Sequence, residues 1–133
     1  MPPLGITEKS KALVYVVEDD EPVRDSLVAL LESEGFGVLP YATCDAFLAH
    51  FHPGGDACLV LDLALPGTSG LELLEMLGKR QHHLPIIVVT GNADLRVRAR
   101  ALDLGAAAVF VKPSDPVLLV ESIRDTLSRQ PRT

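Results

Sequence analysis

We expect this chain to fold as an α/β domain of five βα units, a (βα)5 arrangement around a doubly wound parallel sheet. Short apolar runs alternate along the sequence with segments of helical period, which is the pattern of strands and helices in such a sheet. The runs are almost continuously aliphatic, which indicates strands buried on both faces. The predicted strands cover residues 13–17, 37–42, 58–61, 86–89 and 107–111.

Pro40 lies inside the second run and predicts the order of the strands. A proline cannot donate the backbone hydrogen bond that an inner strand needs, so it is tolerated mainly at the edge of a sheet. With the second strand at an edge, the strand order is 2-1-3-4-5. This order places a switch point between strands one and three, where open α/β sheets bind their ligands.

Predicted capping residues mark the starts of the first two helices, Asp20 for the first and Thr43 for the second. The predicted helices begin near Asp20, Thr43, Ser69, Ala93 and Asp115. Asp20 is predicted to cap the first helix rather than to bind a metal, because a helix N-terminus attracts negative charge. The apolar residues predicted to share the inner face of the first helix are Val23, Leu27, Leu30 and Leu31. The fourth helix is predicted over residues 93–104.

Length and composition predict one domain with short flanking segments. The chain has 133 residues, of which 47% are hydrophobic and 23% charged, and this suits a single core. We expect a flexible segment over residues 1–11, the folded domain over 12–129 and a tail over 130–133. Cys44 and Cys58 do not form a CxxC pair, and we interpret both as small buried hydrophobic residues.

Charge and hydropathy exclude several classes of function. The net charge is −6 and there is no block rich in lysine and arginine, so we expect no direct contact with nucleic acid. No apolar run reaches the length of a membrane span or of a secretory signal. A cytoplasmic protein that makes no membrane contact is therefore predicted.

Polar residues follow four of the five predicted strands. Glu18 and Asp19 follow the first, Asp62 the third, Thr90 the fourth and Lys112 the fifth. Because the carboxyl ends of parallel strands open on one edge of the sheet, these side chains should converge. Three carboxylates in one pocket repel each other unless a cation neutralises them. All-oxygen ligands favour Mg²⁺, and the charges balance because −3 is offset by +2 from the metal and +1 from the lysine.

This group of residues has the parts that phosphoryl transfer needs. The reaction requires an in-line nucleophile together with cations and donors for the oxygens of the phosphoryl group. Asp62 is predicted to be the nucleophile and to become an acyl phosphate. Mg²⁺, the Lys112 ammonium and the Thr90 hydroxyl are predicted to bind the phosphoryl oxygens.

Four motifs appear in order along the chain and together are specific. They are VVEDDEPVR at 16–24, LDLALPGTSG at 61–70, VTG at 89–91 and GAAAVFVKP at 105–113. The motifs resemble the response regulator receiver family of two-component systems, from about residue 12 to residue 129. The resemblance implies a signalling phosphoacceptor rather than an enzyme with a separate substrate. It also implies a sensor histidine kinase or a histidine phosphotransfer protein as donor, and a downstream protein as target.

The resemblance assigns the metal ligands residue by residue. Glu18 and Asp19 match the acidic pair of the family, and Asp62 matches its phosphoacceptor. Ala64, two residues further on, is expected to supply its backbone carbonyl to the metal. The family also implies a cis peptide bond before Pro113.

Two features depart from the usual receiver pattern. Receivers commonly carry an aromatic residue three positions before the lysine, but here that residue is Val109, and Phe110 should point to the opposite face of the sheet. We expect phosphorylation to shift the fourth helix and the loop after Thr90 without an aromatic switch. The fourth and fifth helices are a candidate surface for a homodimer or a partner protein, and the alternative is a solvated face. The chain ends at Thr133 just after the fifth helix, which predicts a stand-alone receiver.

Three alternatives stay open at this point. The first is a pseudo-receiver that binds a protein partner without being phosphorylated. The second is a phosphatase of the haloacid dehalogenase type, which is disfavoured because Ala64 stands where such enzymes carry a second acid. The third is a flavin-binding protein, which is disfavoured because three acids would repel the phosphate of FMN.

Overall fold

A computed structural model describes residues 12–52, 55–63, 70–79, 84–91 and 94–128 of the chain. In this part of the chain, five strands alternate with five helices. In chain order the elements are β1 (Leu13–Val17), α1 (Glu21–Ser33), β2 (Gly37–Tyr41), α2 (Cys44–His50), β3 (Ala57–Leu61), α3 (Gly70–Lys79), β4 (Ile86–Thr90), α4 (Leu95–Asp103), β5 (Ala108–Val111) and α5 (Pro116–Ser128). The predicted segments at 1–11 and 130–133 lie outside the described residues.

The strands form one parallel sheet in the order β2-β1-β3-β4-β5, as predicted. Pro40 pairs with Val16 of β1, and the strand that carries it lies at the edge of the sheet. β1 has the predicted bounds, and each of the other strands differs from its prediction by one residue at one end. Thr90 belongs to β4 because it pairs with Val111 of β5, and apolar composition alone does not reveal this pairing.

Side-chain caps fix the starts of four described helices, including α5, where the Asp115 carboxylate accepts from the Val117 N–H (2.8 Å) as expected from the predicted start near Asp115. Asp20 caps α1 by accepting a hydrogen bond from the Val23 N–H, and Thr43 caps α2 in the same way, so both predictions are confirmed. The fourth helix, predicted over roughly 93–104, begins at Leu95 as α4, where the Asp94 side chain accepts from the Arg96 N–H, and Ala93 lies outside the described residues. The predicted start of α3, Ser69, lies outside the described residues.

The sheet separates two cores. The α2–α4 core lies against α2, α3 and α4, and its buried residues include Tyr15, Phe47, Leu73 and Ala101. The α1/α5 core lies on the other face, and its buried residues include Leu31, Val60, Leu119 and Ile123. Cys44 is buried in the first core and Cys58 in the second, as free thiols.

The inner face predicted for α1 is only partly correct. Leu31 is fully buried, and Leu27 and Leu30 pack against the α1/α5 core while staying partly exposed. Val23 is 39% exposed because its side chain borders a cavity instead of a packed surface. Among the described helices, none has both the length and the apolar character required to cross a membrane.

Candidate functional site

The end of β1 supplies two of the predicted site residues. The Glu18 N–H donates to the Tyr41 carbonyl of β2 (3.1 Å), which continues the sheet pairing by one residue. The Glu18 side chain accepts from the Asp20 N–H (3.2 Å). Glu18 is 4% exposed, whereas Asp19 is exposed. The loop therefore presents one buried and one accessible carboxylate.

Asp62 follows the last residue of β3. Its N–H donates to the Val17 carbonyl (3.1 Å), so the ends of β1 and β3 lie side by side and Asp62 comes next to Glu18. Asp62 is 6% exposed. One carboxylate oxygen from each of Glu18, Asp19 and Asp62 lies within 4.8 Å of the others. This donor set fits a hard divalent cation such as Mg²⁺, which prefers oxygen ligands.

Lys112 brings a positive charge to these acids. Its Nζ lies 2.6 Å from Glu18 Oε1 and 3.2 Å from Asp62 Oδ2. Burial alone would lower the pKa of Lys112, but its hydrogen bonds and charge interactions with the two carboxylates outweigh burial and raise that pKa. Burial also raises the pKa of Glu18, and the hydrogen bond from Lys112 offsets part of that shift. Lys112 therefore stays cationic at neutral pH.

Thr90 completes the set of strand ends. It is fully buried at the end of β4, and its carbonyl accepts the Lys112 N–H (2.7 Å), so the two residues belong to neighbouring strand ends. The peptide bond between Lys112 and Pro113 is cis, as the resemblance implied. Ala64, the predicted carbonyl ligand, lies outside the described residues.

A family model for the response regulator receiver domain matches residues 14–124 of the chain. The chain belongs to this family. Curated relatives include the transcriptional regulatory protein FixJ of Azorhizobium caulinodans, which is 41% identical over 87% of this chain and 55% of its own length. Nodulation protein W of Bradyrhizobium diazoefficiens is 39% identical over 90% of this chain and 53% of its own length.

Solved receiver structures have the same fold. A structure described as FixJ-N has a TM-score of 0.84 at 34% identity and covers 92% of this chain and 98% of its own. A CheY-like receiver domain from Methanospirillum hungatei has a TM-score of 0.84 at 35% identity, covering 91% and 97%. The chain spans about half the length of the curated relatives it matches. The expectation of a stand-alone receiver stays a prediction.

The receiver site opens into a cavity of about 660 Å³ between α1 and α5. Glu18, Asp62 and Lys112 lie at its polar end, and aliphatic side chains such as Leu27 and Leu119 line its walls. The helical pattern did not predict this cavity, because a helix face that lines a cavity has the same apolar period as one that is packed.

Val109 and Phe110 lie on opposite faces of the sheet, as predicted. Val109 packs against the α2–α4 core and Phe110 against the α1/α5 core. The aromatic side chain of β5 therefore lies on the face away from α4. This receiver has valine where the usual pattern places an aromatic side chain.

Two residues near the site were not predicted to have a role there. Arg24 Nη1 donates to the carbonyl oxygens of Glu18 (2.8 Å) and Asp19 (3.4 Å). A Cβ atom on Gly70 would lie 2.7 Å from the Asp62 carbonyl oxygen, so α3 starts directly against the strand end. One sequence feature is consistent with the Arg24 contact, since Arg24 lies four residues after the helix cap at Asp20, which is one turn of helix.

Proposed function

We propose that this receiver accepts a phosphoryl group on Asp62 from a phosphohistidine of a sensor kinase or phosphotransfer protein. The observation that carries the proposal is the placement of Asp62. Its carboxylate is almost fully buried, pairs with Lys112 at 3.2 Å and lies within 4.8 Å of two further carboxylates. Such a group has the charge and the neighbours of a phosphoacceptor.

The transfer exchanges one bond to phosphorus for another. An Asp62 carboxylate oxygen attacks phosphorus, the new O–P bond forms, and the N–P bond to the imidazole breaks, with the electron pair leaving on nitrogen. The Lys112 ammonium holds one phosphoryl oxygen, and the Thr90 hydroxyl donates a hydrogen bond to another. The cavity beside Asp62 gives the donor side chain a route to the carboxylate.

Glu18, Asp19, Asp62 and the Ala64 carbonyl are the proposed ligands of Mg²⁺. When bound, the ion supplies positive charge for the carboxylates and the incoming phosphoryl oxygens. Without it, Lys112 is the cation that balances Glu18 and Asp62, as the two ion pairs indicate.

Phosphorylation with matched variants tests the acceptor. The purified protein is incubated with a phosphorylated histidine kinase and Mg²⁺, and intact mass is measured before and after hydroxylamine, which cleaves acyl phosphates. We expect one phosphoryl group on the natural protein and on Asp56→Asn, because Asp56 is exposed and directly precedes β3, at the end of the strand opposite Asp62. Asp62→Asn and chelation by EDTA should each prevent labelling.

Two outcomes would contradict the proposal. Labelling of Asp62→Asn would move the acceptor to another residue. Failure of the natural protein to bind Mg²⁺ and beryllofluoride would instead favour a pseudo-receiver that binds a partner without phosphorylation.

The surface of α4 and α5 is the proposed site of a phosphorylation-dependent homodimer, or of a downstream protein that competes for it. Leu95, Leu102, Val117 and Leu118 are between 52% and 72% exposed there, which is unusual for large apolar side chains. We expect beryllofluoride to increase the mass measured by light scattering. Leu95→Ser should abolish the increase, and Leu39→Ser, at an exposed leucine of β2, should not.

The remaining assignments follow from this role. We place the protein in the cytoplasm, where sensor kinases present their phosphohistidine, and we take residues 12–129 as the receiver unit. The net charge of −6 favours protein partners over direct binding of nucleic acid.

A further inference from the structure

We propose that Arg24 is a positioning residue of the metal site, which holds the backbone of the β1–α1 loop so that Glu18 and Asp19 face Asp62. The inference rests on the proposed function, because it needs the carboxylates to bind Mg²⁺. It adds a residue that touches neither the metal nor the phosphoryl group.

The contacts of Arg24 lie on the backbone side of the loop. Its Nη1 donates to the Glu18 carbonyl at 2.8 Å and to the Asp19 carbonyl at 3.4 Å, and the shorter bond is the stronger one. Each peptide unit is planar, so holding the carbonyls of Glu18 and Asp19 in place limits the rotation of the backbone about the bonds next to their Cα atoms. The guanidinium therefore restrains both carboxylates through the main chain.

Arg24 is itself anchored. Its N–H donates to the Asp20 carbonyl at 2.8 Å, which places it in the first turn of α1. The Asp20 carboxylate accepts from the Val23 N–H at 3.1 Å. The helix start and the guanidinium thus hold the loop at neighbouring points, and the loop cannot shift without breaking one of them.

Repulsion among the three carboxylates favours a shift of the β1–α1 loop. Three carboxylates within 4.8 Å repel one another, and Lys112 bonds only Glu18 and Asp62 among them. Asp19 is exposed, so a backbone rotation that carries its side chain toward water would relieve the repulsion. Arg24 opposes this rotation and places its positive charge where it does not compete with Mg²⁺ for the carboxylate oxygens.

Arg124 provides a matched control. Like Arg24 it donates to a backbone carbonyl, that of Glu34 at 3.0 Å, and it also bonds the Glu34 carboxylate at 2.7 Å. It joins α5 to the end of α1, where none of the predicted site residues lies. Arg124→Met removes the same charge and the same kind of bond from a place without metal ligands.

The first test is calorimetric titration with Mg²⁺ alone of the natural protein, Arg24→Met, Arg24→Lys and Arg124→Met. Substitution of a residue that orients metal ligands typically weakens metal binding by about tenfold or more. We expect Arg24→Met to raise the Kd for Mg²⁺ by about tenfold, and Arg124→Met to leave it unchanged. Arg24→Lys should fall between them, because an ammonium keeps the charge but lacks the planar fork of the guanidinium.

The second test needs no metal. Amide hydrogen exchange is measured at Asp19 and Asp20 in the natural protein and in each variant that keeps a cooperative thermal transition. Arg24→Met should exchange faster at these two amides, with little change in the strands. Arg124→Met should leave the two amides as they are in the natural protein.

The outcomes separate this inference from the proposed function. If the natural protein binds no Mg²⁺, both fail. If it binds Mg²⁺ and Arg24→Met binds equally well, only the positioning role fails. Full recovery by Arg24→Lys would assign the effect to charge alone, and equal weakening by Arg124→Met would assign it to general stability, and either result would overturn the inference.

Discussion

The two faces of the sheet share five strands but are packed differently. In the α2–α4 core, Phe47 contacts three other aromatic rings, with centroids 5.3 Å from Tyr15, 5.9 Å from Tyr41 and 5.0 Å from Phe51. The α1/α5 core is mainly aliphatic and borders a cavity of about 660 Å³ at the carboxyl ends of the strands. The densely packed α2–α4 core supports the site, and the cavity on the α1/α5 side provides access to it.

This difference bears on function because the two faces meet different requirements. Asp62, the proposed phosphoacceptor, needs a rigid support, and it directly follows β3, which is buried along its whole length between the cores. It also needs an entrance, and the cavity lies on the side of Lys112 and Val23. If the α2–α4 core is the tighter of the two, the same kind of substitution should cost more stability there than in the α1/α5 core.

Phe47→Ala should have the largest effect. Phe47 is fully buried, and truncating a core phenylalanine costs about 3–5 kcal/mol of unfolding free energy. Phe36→Ala is the matched change in the α1/α5 core, where the ring is 6% exposed and contacts the Arg124 guanidinium. We expect it to fall at the low end of that range, as measured by urea denaturation. A loss for Phe36→Ala as large as that for Phe47→Ala would contradict the proposed difference.

Gly70→Ala should come next, because α3 meets the sheet at the level of the backbone. An added Cβ would lie 2.5 Å from the Leu63 Cα, and relieving such a contact costs about 1–3 kcal/mol. Gly78→Ala is the control in the same helix, where the Cβ would lie 3.6 Å from the Leu104 carbonyl oxygen. That change should be neutral or stabilise by up to about 1 kcal/mol, since alanine favours helix. Thermal unfolding of both variants measures the contrast.

The sequence predicted the parts of this receiver that depend on local pattern. Pro40 gave the strand order, and polar residues after apolar runs gave Glu18, Asp62 and Lys112, because parallel strands end together. The contact of Arg24 with the loop was not predicted, since it depends on a side-chain direction that periodicity does not fix. A local pattern shows where a residue lies along a helix or strand. The space between helices, such as the cavity between α1 and α5, depends on tertiary packing.

One free cysteine in each core can report how much of the fold must open before the thiol is exposed. Burial raises the pKa of Cys44 to about 11 and that of Cys58 to about 12, so neither thiol reacts in the closed protein near pH 8. Cys44 begins the seven-residue helix α2, whereas Cys58 lies in β3 and pairs with Val14 of β1. Reaction of Cys58 therefore requires more of the fold to open.

Alkylation of the single-cysteine variants Cys44→Ala and Cys58→Ala measures this difference. The variant that keeps Cys44 should react at least about tenfold faster, which corresponds to about 1.4 kcal/mol between the two opening reactions. Each rate should increase with pH, because the exposed thiol ionises as the pH approaches its ordinary pKa. Equal rates in the two variants would mean that both faces open only when the whole domain unfolds.

One methylene added on each face gives the last comparison, and the change at Val23 should be the smallest effect of all. Val23 borders the cavity and is 39% exposed, so Val23→Ile can place the new group against apolar walls. A fully buried methylene contributes about 0.8 kcal/mol, and we expect about half of that here because the site is partly open. Val88→Ile adds the same group to a fully buried position of the α2–α4 core, where neighbours must move and about 1–3 kcal/mol is lost. Opposite signs in urea denaturation would establish that the free volume next to Asp62 lies on the α1/α5 face of the sheet, while equal losses would mean that the cavity walls close in solution.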